Sequence, residues 1–530
     1  MPTAGEIAAA LRFTGEFERL RKRAGNPSYD EFERLVPHIP RSTLHNALSG
    51  TRKSLADWPL FRPLLLRCIE LARNSGVMDS GTEAEWLEFW KAATDGRIIP
   101  SPLESAAVRE KFRREQERAR ALGGSGVFKT LEALYPGYPL VDLWGVKHPI
   151  AEFPAPPGQW DDTEAAAGEI LDRRVPAEDA YADDFDPGIG RAAFFRYVDR
   201  YRSASAEDRR RFFPGVTYAL RRMTRDPLGA VTLDCSMGRY FTSLATSEDL
   251  DSELMESLVA DPERAVPLGE LPRRSWLHEQ VGDPLLDGRH RDAAISHATV
   301  VLTATGDGGY DILLPERSRD VATHANFNHV APSGIFAPYD ETSPSPLEEY
   351  SVRRNFFREW TEELFAAEEH EHPQYSVVIP DPEDEPEITR LKDLLRSGRG
   401  RLKYTGVSYN LLTLRPEICM ALIVGDRAWF REEDRIAREM GRRFEWGWEY
   451  ERKVWEGTRA HGKPGQLRLR LDSDLQPTGG TQLTPSFLIP NAAAAISLAV
   501  RMLRLQLQGD LAPDGLGVGV SPGGPPVGGE

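Results

Sequence analysis

Residues 297–365 carry the reading that decides the fold, and at their centre stands Arg358-Glu359-Trp360-Thr361-Glu362-Glu363-Leu364. Read as a helix, this run places Glu359, Glu362 and Glu363 at i, i+3 and i+4, so three carboxylates leave one face together. Like charges so close repel one another, and a cation must compensate. Arg358 or Arg354 could supply it, and so could a metal. Mg²⁺ or Mn²⁺ is the expected ion, since hard divalent cations select carboxylate oxygens and commonly arrive with phosphates. The plain alternative is a solvated, charged helix face.

The preceding residues favour the first reading. Residues 297–304 are β-rich, Gly306-Asp307-Gly308-Gly309 signals a turn, and residues 310–314 read as the returning strand of a hairpin. Asn328-His329-Val330-Ala331-Pro332-Ser333-Gly334 then reads as a short strand entering a loop, with the acidic helix after it. Hairpin, Pro-Ser-Gly loop and Arg-Glu-x-x-Glu-Glu helix, in that order, resemble the Nudix hydrolases.

The resemblance implies an α/β/α sandwich with a mixed sheet and Mg²⁺-dependent cleavage of nucleoside diphosphates linked to another group. It also implies roles. Glu359, Glu362 and Glu363 would hold the metal and Arg358 would orient them. Ser333 and Gly334 would form the substrate loop, Glu349 or Glu363 would act as base, and Glu417 would be the further metal-binding acid. The chain departs from the family pattern at three places: Tyr350 stands where a glutamate is expected, Phe365 replaces the closing glycine, and residues 335–347 form a long insert.

With 530 residues, 40% of them hydrophobic, the chain has room for about three globular domains. Its 82 acidic residues outnumber 66 basic ones, which disfavours indiscriminate coating of nucleic acid but leaves room for a local basic face. Three widely separated cysteines, Cys68, Cys235 and Cys419, make neither a disulfide framework nor a zinc cluster, and a reducing cytoplasm is expected. No basic-then-apolar leader opens the sequence, and the apolar run at 492–500 is too short to span a bilayer, so no membrane partner is expected.

Residues 1–100 read as an all-α bundle. Phe17, Leu20 and Ala24 give its first helix an apolar stripe, Gly25-Asn26-Pro27 ends it, and Ser28 can cap the next. Arg41-Ser42-Thr43-Leu44-His45-Asn46-Ala47-Leu48-Ser49-Gly50 resembles the recognition helix of the Cro/repressor-type helix-turn-helix family. That resemblance would put Arg41, Thr43, His45 and Asn46 on DNA bases or phosphates, with Arg52 and Lys53 on the backbone. Such readers commonly act as homodimers on paired half-sites. The plain alternative is a helical bundle that binds protein or self-associates.

Between these parts, residues 101–187 read as a charged helix and an acidic, Pro/Ala-rich linker broken by Gly123-Gly124-Ser125-Gly126. Residues 188–290 read as an α+β segment packed on the core. Residues 291–508 make the Nudix-like domain with its carboxy-terminal extension, and 509–530 a Pro/Gly-rich tail expected to be disordered. Three functions compete: a DNA-binding regulator whose second domain binds or hydrolyses a nucleotide; a pyrophosphohydrolase whose helical head mediates protein contacts or dimerisation; and a non-catalytic nucleotide-binding module.

Overall fold

A computed structural model describes residues 4–35, 58–74, 81–95, 97, 99, 101–103, 113, 117–177, 181, 185, 189–203, 215–317, 327–338, 349–365, 385–425, 428–439, 466–478 and 483–508. The chain divides into two compact units, residues 1–117 and 118–530.

The first unit is helical, with α1 (Ala4–Arg23), α2 (Tyr29–Leu35), α3 (Trp58–Asn74) and α4 (Glu83–Thr94). Phe13, Phe17 and Leu20 recur at helical spacing on α1, and all are buried. Phe17 meets Phe61 of α3 with ring centroids 4.4 Å apart, and Phe13 meets Trp86 of α4 at 6.0 Å. Gly25 and Asn26 turn left-handed after α1, the Ser28 hydroxyl accepts from the Glu31 amide, and Thr82 with Glu85 forms a capping box on α4. Residues 41, 43, 45, 46, 52 and 53, the expected DNA contacts, lie outside the described residues.

The second unit is built on an eight-stranded mixed sheet. Its strands are β3 (Ile150–Pro154), β7 (Ser296–Ala304), β8 (Tyr310–Pro315), β9 (Ser333–Ile335), β10 (Gly400–Asn410), β11 (Arg415–Val424), β12 (Gln466–Leu471) and β13 (Pro477–Thr478). The order is β13-β12-β8-β7-β11-β10-β3, with β9 also on β7; β11 and β7 run parallel and the other pairs antiparallel. The β7–β8 hairpin forms as its turn signal suggests. Nearly every residue of β11 is buried, and because successive side chains point to opposite faces, both faces must be covered.

Helices α9 (Val352–Phe365) and α12 (Pro490–Leu507) do so from opposite sides. His297 of β7 bonds Asn355 of α9, whereas its strand neighbour Ser296 lies in register with Glu417, Ser408 and Glu152, and Glu152 bonds Ser497 of α12. The other described helices of this unit include α5 (Gly126–Leu134), α6 (Ile189–Ser203), α7 (Asp249–Leu258), α8 (Pro272–Gln280), α10 (Pro386–Arg396) and α11 (Trp429–Glu439).

A second sheet, of three strands, contains β4 (Ala167–Asp172), β6 (Val231–Arg239) and β5 (Val216–Arg225) in that order, and β1 (Val141–Leu143) with β2 (Val146–His148) makes a small hairpin. The mixed helix-and-sheet architecture therefore holds, but within the stretch read as a linker residues 150–172 are folded. Strand β3 is the edge of the large sheet, β4 belongs to the second, and Trp160 is buried beside them. The acidic side chains dominate the composition, while Ile150, Ala151 and Phe153 sink into the core.

The glycines at 124 and 126 are likewise no flexible break. The Gly126 amide donates to the Pro262 carbonyl at 2.8 Å, and a Cβ on Gly126 would stand 2.4 Å from the Arg264 carbonyl oxygen. Backbone cannot yield as a side-chain tip can, so Gly126→Ala is expected to cost about 2 kcal/mol through overpacking. Urea unfolding checks this, and a midpoint equal to wild type would show that the contact relaxes freely.

All three cysteines are free and buried: Cys68 in the aromatic core of the first unit, Cys235 on β6 and Cys419 on β11. Among the described residues, no helix is long and apolar enough to cross a membrane.

Candidate functional site

The acidic helix α9 is held at its amino end by Glu164, from the stretch that reads as linker. The Glu164 carboxylate accepts from the amides of Val352 at 2.8 Å and Arg353 at 2.9 Å, and from the Ser351 hydroxyl at 2.9 Å. A carboxylate there satisfies orphan amides and complements the helix dipole. Phe356, Trp360 and Leu364 form a buried stripe that flanks Glu363, with the Trp360 ring centroid 5.9 Å from that of Trp429.

Arg358 is buried and fastens the helix to β9 and the residues after it. Its guanidinium donates to the Ala337 carbonyl at 2.5 Å, the Ile335 carbonyl at 3.0 Å and Asn355 Oδ1 at 2.5 Å, and pairs with Glu359 at 2.9 Å. Glu359 lies directly against Gly334, where a Cβ would stand 2.1 Å from its carboxyl carbon. One turn on, Glu363 accepts from the Ser333 amide at 2.8 Å and is 3% exposed. Glu359 and Glu363 therefore meet the Ser333-Gly334 segment from adjacent turns, and Glu362 is half-buried to one side.

The remaining expected residues are placed differently. Glu417 lies on the α12 face of the sheet, because its register partner Ser296 points away from α9, and its Oε2 has no hydrogen-bond partner among the described residues. Burial pushes its carboxyl up to about 8, against the pull of Arg415. Glu417 is thus corrected from a metal acid of this site to a buried group on the far side.

Glu349 precedes α9 and sits beside β5, where burial first and its charge second raise the Tyr218 phenol. Tyr350, in the glutamate position, turns inward: its hydroxyl donates to the Leu233 carbonyl at 3.0 Å, and its ring lies 4.9 Å from that of Tyr218. Phe365, in the glycine position, is buried.

Asn355 escaped the sequence reading, and His297, which reads as an ordinary polar residue at the boundary of the first core strand, is fully buried. The Asn355 amide bridges Arg358 to His297 Nδ1, 2.8 Å from its nitrogen. With Asn355 donating, His297 carries its proton on Nε2, a buried atom with no hydrogen-bond partner among the described residues. Burial, and then the charge of Arg358, push His297 down to about 3, so the ring is neutral. The available signal was the asparagine three residues before the arginine, on the same helix face.

Among the described residues, no three His, Cys, Asp or Glu side chains form a group able to hold a metal ion. The acids of α9 thus do not build a cage of protein ligands alone. Two carboxylates at a loop do fit magnesium's other mode, in which one or two acids are completed by water and substrate phosphates. Compared with known proteins, the chain matches no family model and no curated protein.

Proposed function

We propose that the second unit binds a nucleoside diphosphate derivative as its Mg²⁺ or Mn²⁺ complex where α9 faces β9. We further propose that the first unit binds DNA through residues 41–53, which makes the chain a cytoplasmic, nucleotide-responsive transcriptional regulator. The observation that carries the first part is the lock made by Arg358, which holds Glu359 and Glu363 against Gly334 and Ser333. A metal bound between them would neutralise diphosphate charge. Arg358 preorganises the carboxylates, and the backbone at 333–334 limits what can stand beside them.

Binding without rapid turnover is favoured over a pyrophosphohydrolase, because Tyr350 fills with a buried phenol the position where the resemblance expects a carboxylate. Calorimetric titration of the full chain with ADP-ribose, with and without Mg²⁺, tests this. Saturable, Mg²⁺-dependent binding is expected, weakened about tenfold or more in Glu359→Gln and in Gly334→Ala, whose Cβ displaces Glu359. Release of nucleoside monophosphate from the same mixtures would establish the hydrolase instead, and no saturable uptake with Mg²⁺ would end the reading. For the first unit, salt-dependent binding to promoter DNA should weaken in Arg41→Ala. A helical head that only pairs two chains would give a dimer with no salt-dependent DNA affinity.

A further inference from the structure

Strand β5 carries a bulge. Leu220 faces Cys235 on β6 and Arg222 faces Asp234, so Arg221 is the extra residue with no partner across the ladder. A bulge of this kind re-aims one side chain and is often found beside sites. The loop at 282–289 closes on it: the Gly288 amide donates to the Arg221 carbonyl at 3.0 Å, and a Cβ on Gly288 would stand 2.2 Å from the Leu220 carbonyl oxygen.

Between this loop, the bulge and the end of β4 lies an open cavity of about 700 Å³, within the size range of small-molecule sites. Its carboxylates are already engaged. Asp172 pairs with Arg174, Asp287 with Arg289, and Asp283 accepts from the Tyr138 hydroxyl. Arg222, also on the wall, pairs with Asp234.

Two donors remain. Among the described residues, the half-buried Arg221 guanidinium makes one hydrogen bond, from Nη1 to the Arg291 carbonyl at 3.3 Å, and no ion pair. Ser236, 4% exposed, lines the same cavity, and among the described residues its hydroxyl makes no hydrogen bond. Leu171, 50% exposed, and Leu286, 38% exposed, add apolar surface to its rim.

We propose that this groove binds a small organic oxyanion, a phosphate or carboxylate attached to an apolar or aromatic body, through the Arg221 guanidinium and the Ser236 hydroxyl. A guanidinium presents parallel N–H groups that fit either oxyanion. The cavity is far larger than an inorganic ion, and the leucines give the body of the ligand its contact. None of the lining residues belongs to the α9–β9 face, so the proposal stands apart from the nucleotide reading.

Calorimetry of the full chain at fixed ionic strength, with inorganic phosphate, phenyl phosphate and benzoate as probes, decides it. Phenyl phosphate or benzoate should saturate the protein more tightly than inorganic phosphate, and the better of the two identifies the head group. Affinity should fall about tenfold or more in Arg221→Gln and about threefold in Ser236→Ala. Arg264→Gln, which removes an exposed positive charge paired with Glu270 outside the groove, should change it less than about twofold. Absence of saturation by all three probes overturns the proposal, as does unchanged affinity in a folded Arg221→Gln. Should that variant fail to fold, unchanged affinity in both Arg221→Lys and Ser236→Ala overturns it equally.

Discussion

An Arg358→Ala chain is expected to lose about 3–5 kcal/mol of stability in its second unit, because removing a buried charge strips partners from several groups at once. The carbonyls of Ile335 and Ala337, the Asn355 amide oxygen and the Glu359 carboxylate all bond to this one guanidinium. Glu359 would lose the Arg358 guanidinium from its carboxylate while it is still packed against Gly334. Arg358→Lys should recover little, since one ammonium cannot reach acceptors spread over two segments in a forked geometry. Urea unfolding followed by tryptophan emission reads the loss, with Trp360 on the same helix as a local reporter. A midpoint matching wild type would mean that the helix and β9 hold together without the arginine, and the preorganisation argument would fall with it.

Replacement of Glu417 by glutamine is expected to stabilise the protein in alkali and to leave it unchanged in acid. Burial raises this carboxyl from its ordinary 4.5 to about 8, so it keeps its proton in the folded chain while the unfolded chain releases it near 4.5. Folding then takes up a proton between those two values. The folded state binds more protons than the unfolded state, so stability falls as pH rises through this window and levels off above about pH 8.

Glutamine cannot ionise and escapes the decline, which makes the variant more stable by on the order of 4 kcal/mol at pH 9 and no different at pH 4. Glu152, raised to about 7, and Asp292, raised to about 6, act in the same direction, so a shallower decline persists in the variant. Denaturant midpoints across pH provide the check. Curves for the two proteins that run parallel from pH 4 to 9 would show that Glu417 is ionised in the folded state.

Much of the large sheet could be read in advance because its signals are local. The Gly306–Gly309 turn sets the hairpin, and β-branched runs mark β7 and β11. The contact of Glu359 and Glu363 with one loop was also foreseeable from their i, i+4 spacing. The side of the sheet on which Glu417 falls was not, because one residue of register reverses a strand's faces and the partner strand lies far away in sequence. The membership of residues 150–172 was hidden for a related reason: a five-residue edge strand followed by a stretch rich in Pro and acids looks like a linker until Tyr409 or Val407 is seen across from it. Glu164 illustrates the cost, since a capping carboxylate so distant in sequence from its helix leaves no local signature.

The three buried thiols divide the molecule in a way that alkylating reagents can exploit. Burial pushes Cys68 and Cys235 up to about 12 and Cys419 well above its ordinary value, so none is a ready nucleophile at neutral pH. Each becomes reactive only when its own layer opens, Cys68 with the helical head, Cys235 with the three-stranded sheet and Cys419 with the eight-stranded one. The natural chain thus carries three silent timers of local unfolding, and a cysteine engineered on its surface would take a fluorophore almost without background.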